Sequence, residues 1–355
     1  MHQRLDSIQV LRAVAALAVV LYHSHFAVNP FPAEYKINIP FIYSYGYLGV
    51  DLFFAISGFI IYHITSGKPM DIKEFMAKRF FRIYPVYWIF CILSFYLYVN
   101  NGLHFGPKDF DIQNLLLSMA IFPLQGSPAY GVGWSLEHEI IFYIIAALVI
   151  PVLKHRGLIT VLSVLGILGL AKEMLTASGV IPKFWDYHLV SPFFLSFAAG
   201  MAAYRVSAVS KTNFATLAIA TIIAASVTAL LMNYGSTQIR IFARYAMVSI
   251  SCGLIVATSV AFESTKAKVP EFLKTPMVVI GNASYSLYLV HWMILINMGR
   301  MKYKAAYGVP DWAAELWRFG LITVCIAVSI AMYKLIEKPL NSRASSAIRL
   351  IAKKA

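Results

Sequence analysis

The sequence predicts an all-α, polytopic membrane protein. Of its 355 residues, 59% are hydrophobic and only 13% are charged. Runs of about 20 apolar residues recur along the chain, and that is the length an α-helix needs to cross a bilayer. A water-soluble domain of this composition would expose large apolar patches. A multi-pass helical membrane protein is therefore the predicted class.

Ten membrane spans are predicted, and one apolar stretch, 115–124, is too short to cross. The spans are 8–27, 46–65, 80–99, 132–153, 157–171, 186–204, 213–232, 241–262, 277–298 and 313–335. An even number of spans places both termini on one side of the membrane. If that side is the cytoplasm, the inner segments hold about twice as many Lys and Arg residues as the outer ones, as is typical of membrane proteins. We therefore expect cytoplasmic termini, a membrane domain over 1–340 and a basic tail over 341–355 on the inner leaflet.

The net charge of +14 is explained by this topology, because the basic residues lie in short loops between spans. No nucleic-acid partner is expected. The three cysteines (Cys91, Cys252 and Cys325) fall within predicted spans and indicate neither a disulfide framework nor a thiolate metal site. His138 and Glu139 are adjacent but lack a recognisable ligand spacing, so no metal is predicted.

Two polar residues, Arg12 and His23, interrupt the first apolar helix. They are eleven residues apart, which places them on one helix face, separated by about 16 Å along the axis. Arg12 lies near the inner end, where an arginine can also reach the interface. His23 lies past mid-membrane, where a polar group is costly unless it faces protein or water. A neutral histidine can accept a proton from a hydroxyl, so His23 is a candidate general base.

A basic cluster (Lys78, Arg79 and Arg82) lies in the inner segment before the third span. Arg79 and Arg82 are three residues apart and are neighbours on one helix face. Two guanidinium groups so placed suit phosphate groups. Anchoring of the helix end at the cytoplasmic surface is the alternative, and it explains most clusters of this kind.

The fourth span begins with polar residues that continue into an otherwise apolar run. Glu139 shares a helix face with Ser135 and Tyr143, and a carboxylate at that depth needs a partner. We expect Glu139 to orient His23, as the acid does in a catalytic triad. Trp134, at the start of this span, is a candidate cavity residue, but an aromatic belt at the outer membrane interface explains it equally well.

The ninth span carries a polar stripe, with Ser284, Tyr288 and His291 at positions i, i+4 and i+7. Such a stripe either joins helices by hydrogen bonds or lines a cavity, and the residues leave both readings open. Asp51 and Ser57 add polar groups to the second span. These groups, too, either join helices by hydrogen bonds or line a cavity.

Six segments in this order resemble acyltransferase family 3, and together they cover nearly the whole chain. They are the Arg12-x10-His23 helix with its Leu-Asp-Ser-Ile-Gln-Val-Leu-Arg start, Gly-Val-Asp-Leu-Phe-Phe-Ala-Ile-Ser-Gly-Phe, Arg79-x-x-Arg82, Trp-Ser-Leu-x-x-Glu-x-x-Phe-Tyr, Ser-Tyr-Ser-Leu-Tyr-Leu-x-His and Ile336-Glu-Lys-Pro. The Ser-Ile-Gln-Val-Leu-Arg start is most similar to the exopolysaccharide-acetylating branch.

The resemblance implies a transferase of the bacterial inner membrane. Its donor would be cytoplasmic acyl-CoA, usually acetyl-CoA, and its acceptor a hydroxyl of a cell-surface polysaccharide or of its lipid-linked precursor. Arg79, Arg82 and Lys78 would hold the phosphates of the donor, whose arm would run past Arg12 toward His23. His23 would act as general base or as acyl carrier. The candidate oxyanion donors or cavity residues are Trp134, Ser135, Ser284, Tyr285, Tyr288 and His291.

A transporter or flippase for a glycan or lipid is the alternative, because buried polar stripes are equally expected there. The absence of a visible inverted repeat and the position of the basic pair at the cytoplasmic rim favour the enzyme. A purely structural subunit leaves His23 and Glu139 unexplained. Membrane lipid is an expected partner in each case, and the sequence is compatible with a homo-oligomer.

Overall fold

The protein is described by a computed structural model that covers residues 5–24, 44–67, 69–107, 110–209, 213–265, 269–302 and 311–354. Within these ranges the chain is helical and contains no β-strand, as the sequence predicts. The α-helices are α1 Asp6–His23, α2 Gly49–Thr65, α3 Ile72–Asn101, α4 Ile112–Met119, α5 Trp134–Ala177, α6 Phe194–Tyr204, α7 Phe214–Tyr234, α8 Thr237–Phe242, α9 Val248–Glu263, α10 Glu271–Asn282, α11 Ser284–Lys302, α12 Asp311–Met332 and α13 Lys338–Lys354.

Seven helical stretches of the described chain are long and apolar enough to cross a membrane. They are Asp6–His23, Gly46–Thr65, Ile72–Asn101, Gly131–Ala177, Phe214–Tyr234, Thr237–Glu263 and Glu315–Ile348. An eighth candidate is the bent pair of α10 and α11, whose axes differ by 72° at a short break. The chain is therefore a multi-pass membrane protein, while the count of ten spans and the side of the termini stay predictions.

The longest helix, α5, has the length of two spans. Its 44 residues correspond to about 66 Å of ideal helix, roughly twice the apolar thickness of a bilayer. The backbone leaves helical geometry at Lys154, with φ 58° and ψ −171°. This break falls between the predicted spans 132–153 and 157–171.

Two other predicted spans differ from the structure at their ends. The span predicted over 186–204 is helical only from Phe194, because Tyr187 and His188 adopt positive φ angles and Pro192 follows them. Helix α1 ends at His23, and the rest of the span predicted to residue 27 lies mostly outside the described residues. The short apolar stretch near 115 forms α4, which has only 8 residues.

The chain divides into two compact units, each assembled from three separate segments. Unit 1 comprises Met1–Arg12, Val50–Phe75 and His138–Thr275, and unit 2 comprises Ala13–Gly49, Met76–Glu137 and Pro276–Ala355. Residue 340, the predicted boundary between membrane domain and tail, lies inside the last segment of unit 2, and that boundary stays a prediction. Helices α1, α2, α3, α5 and α10 contribute residues to both units.

Close helix packing in unit 1 depends on two glycines. A Cβ atom at Gly200 of α6 would lie 1.8 Å from the carbonyl oxygen of Ala55 in α2, and one at Gly58 would lie 2.1 Å from the carbonyl oxygen of Phe197. Small residues of this kind let two membrane helices approach closely. Helices α2 and α6 are therefore held together at a backbone-to-backbone contact.

We predict that Gly200→Ala separates α2 from α6 and destabilises the protein, because the added methyl group meets a backbone oxygen that cannot move aside. Overpacking of this kind costs about 1–3 kcal/mol. Thermal unfolding of the detergent-solubilised protein measures the effect as a lowered Tm. Gly320→Ala in α12 is the control, since no atom of the described residues lies within 4 Å of its added Cβ. Equal Tm values for the two variants would contradict the packing argument.

Candidate active site

Two histidines from distant parts of the sequence form a hydrogen-bonded pair in unit 2. Nδ1 of His23, at the end of α1, lies 3.1 Å from Nε2 of His291 in α11. Their rings are stacked, with centroids 5.2 Å apart and planes at 23°. His291 is completely buried, whereas His23 is half-buried. His23 is therefore the more accessible member of the pair.

Aromatic rings surround the imidazole of His23. Trp292 meets it edge-on at a centroid distance of 5.1 Å, and Tyr22 meets it at the same distance. The indole nitrogen of Trp292 donates a hydrogen bond of 2.8 Å to the carbonyl oxygen of Phe105, which fixes the orientation of the indole. This packing restrains the His23 ring.

The predicted polar stripe of α11 continues from the histidine pair through Tyr288. The Tyr288 ring lies 5.6 Å from that of His291, and its hydroxyl is 2.8 Å from Oγ of Ser135. Both hydroxyls are 3.1 Å from the carbonyl oxygen of Val132. Unit 2 thus brings together four of the residues predicted from sequence: His23, Ser135, Tyr288 and His291.

Two other predicted cavity residues begin helices of unit 2. Ser284 starts α11 and is completely buried, and no described residue forms a hydrogen bond with its Oγ. Trp134 starts α5 and is half-buried. Their predicted contact with a substrate stays a prediction.

The basic cluster on α3 is tied to a buried carboxylate. Arg82 donates to Oε1 of Glu337, which is completely buried, and Ser286 donates a bond of 2.6 Å to Oε2 of the same residue. The guanidinium of Arg82 also lies 5.6 Å from the ring centroid of Tyr285, whose hydroxyl donates to the carbonyl oxygen of Ile83. One edge of Arg82 is thus held in place, while 27% of its side chain stays exposed.

Lys78 and Arg79 lie on the same helix as Arg82 and are half-buried. The three residues are close enough in sequence to form one positive surface at this end of α3. Their predicted role in phosphate binding stays a prediction.

In unit 1, Glu139 is bound by two hydroxyl groups. Ser57 donates a hydrogen bond of 3.0 Å to its Oε1, and Tyr143 donates to the same oxygen. The predicted shared face of Glu139 and Tyr143 is confirmed by this contact. Its predicted action on His23 stays a prediction.

A second intramembrane carboxylate, Asp51, forms a buried ion pair in unit 1. It is 1% exposed, and its Oδ1 accepts a hydrogen bond of 3.1 Å from Nη1 of Arg244. The Arg244 guanidinium also lies near the rings of Phe193 and Tyr245. Arg244 lies in a π-helical turn, Ala243–Met247, within the span predicted over 241–262. This ion pair was missed because its partners are 193 residues apart.

Arg12 has a partner in its own helix, whereas His138 and Glu139 contact residues from distant parts of the sequence. Arg12 lies within 3.5 Å of Oε1 of Gln9, one helical turn away. Nε2 of His138 lies 3.0 Å from Oγ of Ser191, so His138 and Glu139 bind different groups. Among the residues that the structure describes, no cluster of three or more His, Cys, Asp or Glu residues could hold a metal ion.

Unit 1 also contains an open cavity of about 860 Å³ between the ends of α1, α9 and α10. Asp6, Glu263 and Lys274 contribute charged groups to its wall. None of the site residues predicted from sequence lines this cavity.

Sequence reasoning named both His23 and His291 but did not pair them, because nothing local relates positions 268 residues apart. It likewise did not pair Arg82 with Glu337, although both belong to segments of the family resemblance. It assigned no role to the buried ion pair of Arg318 and Glu315 in α12. An arginine and a glutamate three residues apart in an apolar helix are a usable signal for such a pair.

These features define a polytopic membrane protein with buried polar clusters between its helices. The chain belongs to acyltransferase family 3: the family profile, described as "Acyltransferase domain", matches residues 5–334.

Three relatives illustrate the range of similarity. O-acetyltransferase OatA of Staphylococcus aureus (strain NCTC 8325 / PS 47) is 24% identical over 99% of this chain and 59% of its own length. Exopolysaccharide production protein ExoZ of Rhizobium meliloti (strain 1021) is 27% identical over 85% of this chain and 91% of its own. The O-acetyl transferase of Shigella phage Sf6 is 30% identical over 55% of this chain and 62% of its own. This chain thus spans about three fifths of OatA. No solved structure matches it.

We predict that Glu337→Gln destabilises the folded protein by about 1.5–3 kcal/mol, the value of hydrogen bonds to charged groups. The neutral amide keeps the shape of the side chain but loses the charge that pairs with Arg82. Thermal unfolding in detergent measures the loss. Glu271→Gln is the control, because the Glu271 side chain is 73% exposed and exposed ion pairs contribute little. A Tm for Glu337→Gln equal to that of the wild type would show that the ion pair is not structural.

Proposed function

We propose that this protein is a membrane O-acyltransferase that moves an acyl group, most simply acetyl, from cytoplasmic acyl-CoA to a hydroxyl group of a surface polysaccharide or its lipid-linked precursor. The observation that carries the proposal is the histidine pair, in which the half-buried His23 is hydrogen-bonded to the buried His291. The printed names of the relatives, two O-acetyltransferases and an exopolysaccharide production protein, support the acetyl group and the glycan acceptor.

In the proposed reaction His23 is the general base. Its ring accepts the proton of the acceptor hydroxyl while the hydroxyl oxygen forms a bond to the carbonyl carbon of the thioester. The bond between that carbon and sulfur then breaks, and the proton passes from the imidazolium to the sulfur, which leaves as the CoA thiol. General-base catalysis of this kind is typically worth about 10²–10⁴-fold in rate. In a second version His23 carries the acyl group as a covalent intermediate.

The basic cluster on α3 is the proposed site for the phosphates of the donor. The planar, forked guanidinium group matches the geometry of phosphate oxygens. The hydrogen bond from Arg82 to Glu337 fixes the orientation of the Arg82 guanidinium before the donor binds. We propose that Arg79 and Lys78 complete the site and that Arg12 steers the arm of the donor toward His23. Tyr285, Tyr288 and Ser284 are the proposed oxyanion donors.

The proposed location is the bacterial inner membrane, with both termini in the cytoplasm, where acyl-CoA is available. This orientation rests on the excess of basic residues in the segments assigned to the inner side. Helix α13, Lys338–Lys354, contains most of the basic tail, which we propose to lie on the anionic inner leaflet.

We expect His23→Ala to reduce turnover about 10²–10⁴-fold, because the substrate hydroxyl then has no base. The measurement is the release of free thiol from acetyl-CoA by the purified protein, with and without acceptor glycan. His104→Ala is the control, since His104 contacts the backbone of Pro107 in a loop. Near wild-type turnover in His23→Ala would exclude the general base and the acyl carrier alike. A wild-type protein that binds glycan but releases no thiol would favour a transporter.

We expect Arg79→Ala/Arg82→Ala to weaken acetyl-CoA binding at least about tenfold, because charge-assisted hydrogen bonds contribute about 1.5–3 kcal/mol each. The dependence of affinity on salt should also become shallower, since fewer charges are screened. Isothermal titration at several salt concentrations measures both quantities.

Glu337→Gln is the matched control for that double variant, because it removes the same ion pair but leaves both guanidinium groups. If Glu337→Gln weakens binding as much as the double variant does, the effect is structural and the phosphate site is wrong. Lys73→Ala/Lys338→Ala removes the same number of charges from exposed positions and should leave affinity within about twofold.

A further inference from the structure

The hydrogen bonds of His291 determine which of its own nitrogens carries a hydrogen. Nδ1 of His291 lies 3.0 Å from the carbonyl oxygen of Leu287, one turn earlier in α11. A carbonyl oxygen only accepts hydrogen bonds, so Nδ1 of His291 is the donor. Within the described part of the chain its other hydrogen-bond and ring partners are His23 and Tyr288, and neither is an anion. A charged imidazolium is costly in such a buried place, so His291 is neutral and its Nε2 has the lone pair.

The same argument passes from His291 to His23. Nε2 of His291 lies 3.1 Å from Nδ1 of His23. Because Nε2 of His291 is the acceptor, Nδ1 of His23 must carry the hydrogen. In neutral His23 the lone pair is therefore on Nε2. One backbone carbonyl, acting through two imidazole rings, selects a single tautomer of His23.

We propose that His291 is a positioning residue that holds His23 in the Nδ1–H tautomer, so that Nε2 is the nitrogen that receives the substrate proton. The inference rests on the proposed function, since it concerns the base of that reaction. His291 itself is completely buried, and its Nδ1 is committed to the helix backbone. It acts through His23 and not on the substrate.

The pair also serves the charged state of the reaction. When Nε2 of His23 takes the hydroxyl proton, the ring becomes an imidazolium, and its Nδ1–H bond to neutral His291 becomes charge-assisted and stronger. This is the role that an acidic residue has in a triad, performed here by a neutral group. In the covalent version of the mechanism, the same tautomer places the acyl group on Nε2 of His23.

Three substitutions at His291 test the proposal. The amide oxygen of Gln reaches about the position of Nε2 of the native ring, so His291→Gln keeps an acceptor for His23. His291→Asn has the same amide group on a side chain one methylene shorter, and His291→Leu has no acceptor. We expect His291→Gln to retain kcat within about fivefold, and Asn and Leu to lower kcat about 10²-fold or more, as expected for a base in the wrong tautomer. The KM for acetyl-CoA should stay within about twofold in all three.

The comparison of Gln with Asn remains decisive if the Leu variant does not fold. Equal kcat values for folded Gln and Asn variants would overturn the proposal, as would full activity of the Leu variant. His138→Leu removes another buried histidine, hydrogen-bonded to Ser191, and should leave kcat within about threefold. A loss in His138→Leu as large as that in His291→Leu would mean that the effect is a general loss of packing.

A spectroscopic measurement tests the tautomer without relying on turnover. Nitrogen-15 chemical shifts of labelled histidine in detergent distinguish protonated from unprotonated ring nitrogens, and the His23 signals are identified by their absence in His23→Ala. We expect protonated Nδ1 and unprotonated Nε2 in the wild type and in His291→Gln, and loss of this pattern in His291→Leu. Protonated Nε2 in the wild type would overturn the inference. A wild type that shows the expected tautomer but releases no thiol would instead overturn the proposed function.

Discussion

A polar side chain within an apolar helical bundle has to find its partner inside the protein, because neither lipid nor apolar side chains form hydrogen bonds. The described clusters follow this constraint. Asp51 pairs with Arg244, Glu337 with Arg82 and Ser286, and Glu139 with Ser57 and Tyr143. Each cluster gives a buried charge at least one polar partner, and each joins helices that are far apart in sequence.

The constraint also explains why the two units are assembled from separate segments. In unit 2, Arg82 and Glu337 are 255 residues apart, and His23 and His291 are 268 residues apart. His23 and His291 join the first segment of unit 2 to its last, and Arg82 and Glu337 join the middle segment to the last. In unit 1, Asp51 and Arg244 join α2 to the turn before α9 in the same way. In the same unit, α2 and α6 approach each other closely at Gly58 and Gly200.

Helix α11 supports both polar clusters of unit 2. Its first turn contributes Tyr285 and Ser286 to the network around Arg82 and Glu337, and its next turns contribute Tyr288 and His291. The proposed phosphate site and the proposed base thus share one helical scaffold. Rigid support of this kind is what holds catalytic groups in position, and in the proposed reaction it would position His23.

The sequence by itself determined the class of protein and the family, because the apolar runs and the six ordered motifs are local properties. It also identified Arg12, His23, Arg79, Arg82, Glu139 and His291 as candidates, since charges and imidazoles in apolar helices are conspicuous one by one. Only the tertiary structure decided the pairing. Local spacing placed Glu139 beside Tyr143, but it could not place His23 beside His291 or Glu337 beside Arg82. Partners so far apart in sequence meet only when the helices pack, and the direction of the hydrogen bonds, which selects the tautomer of His23, exists only after they have met.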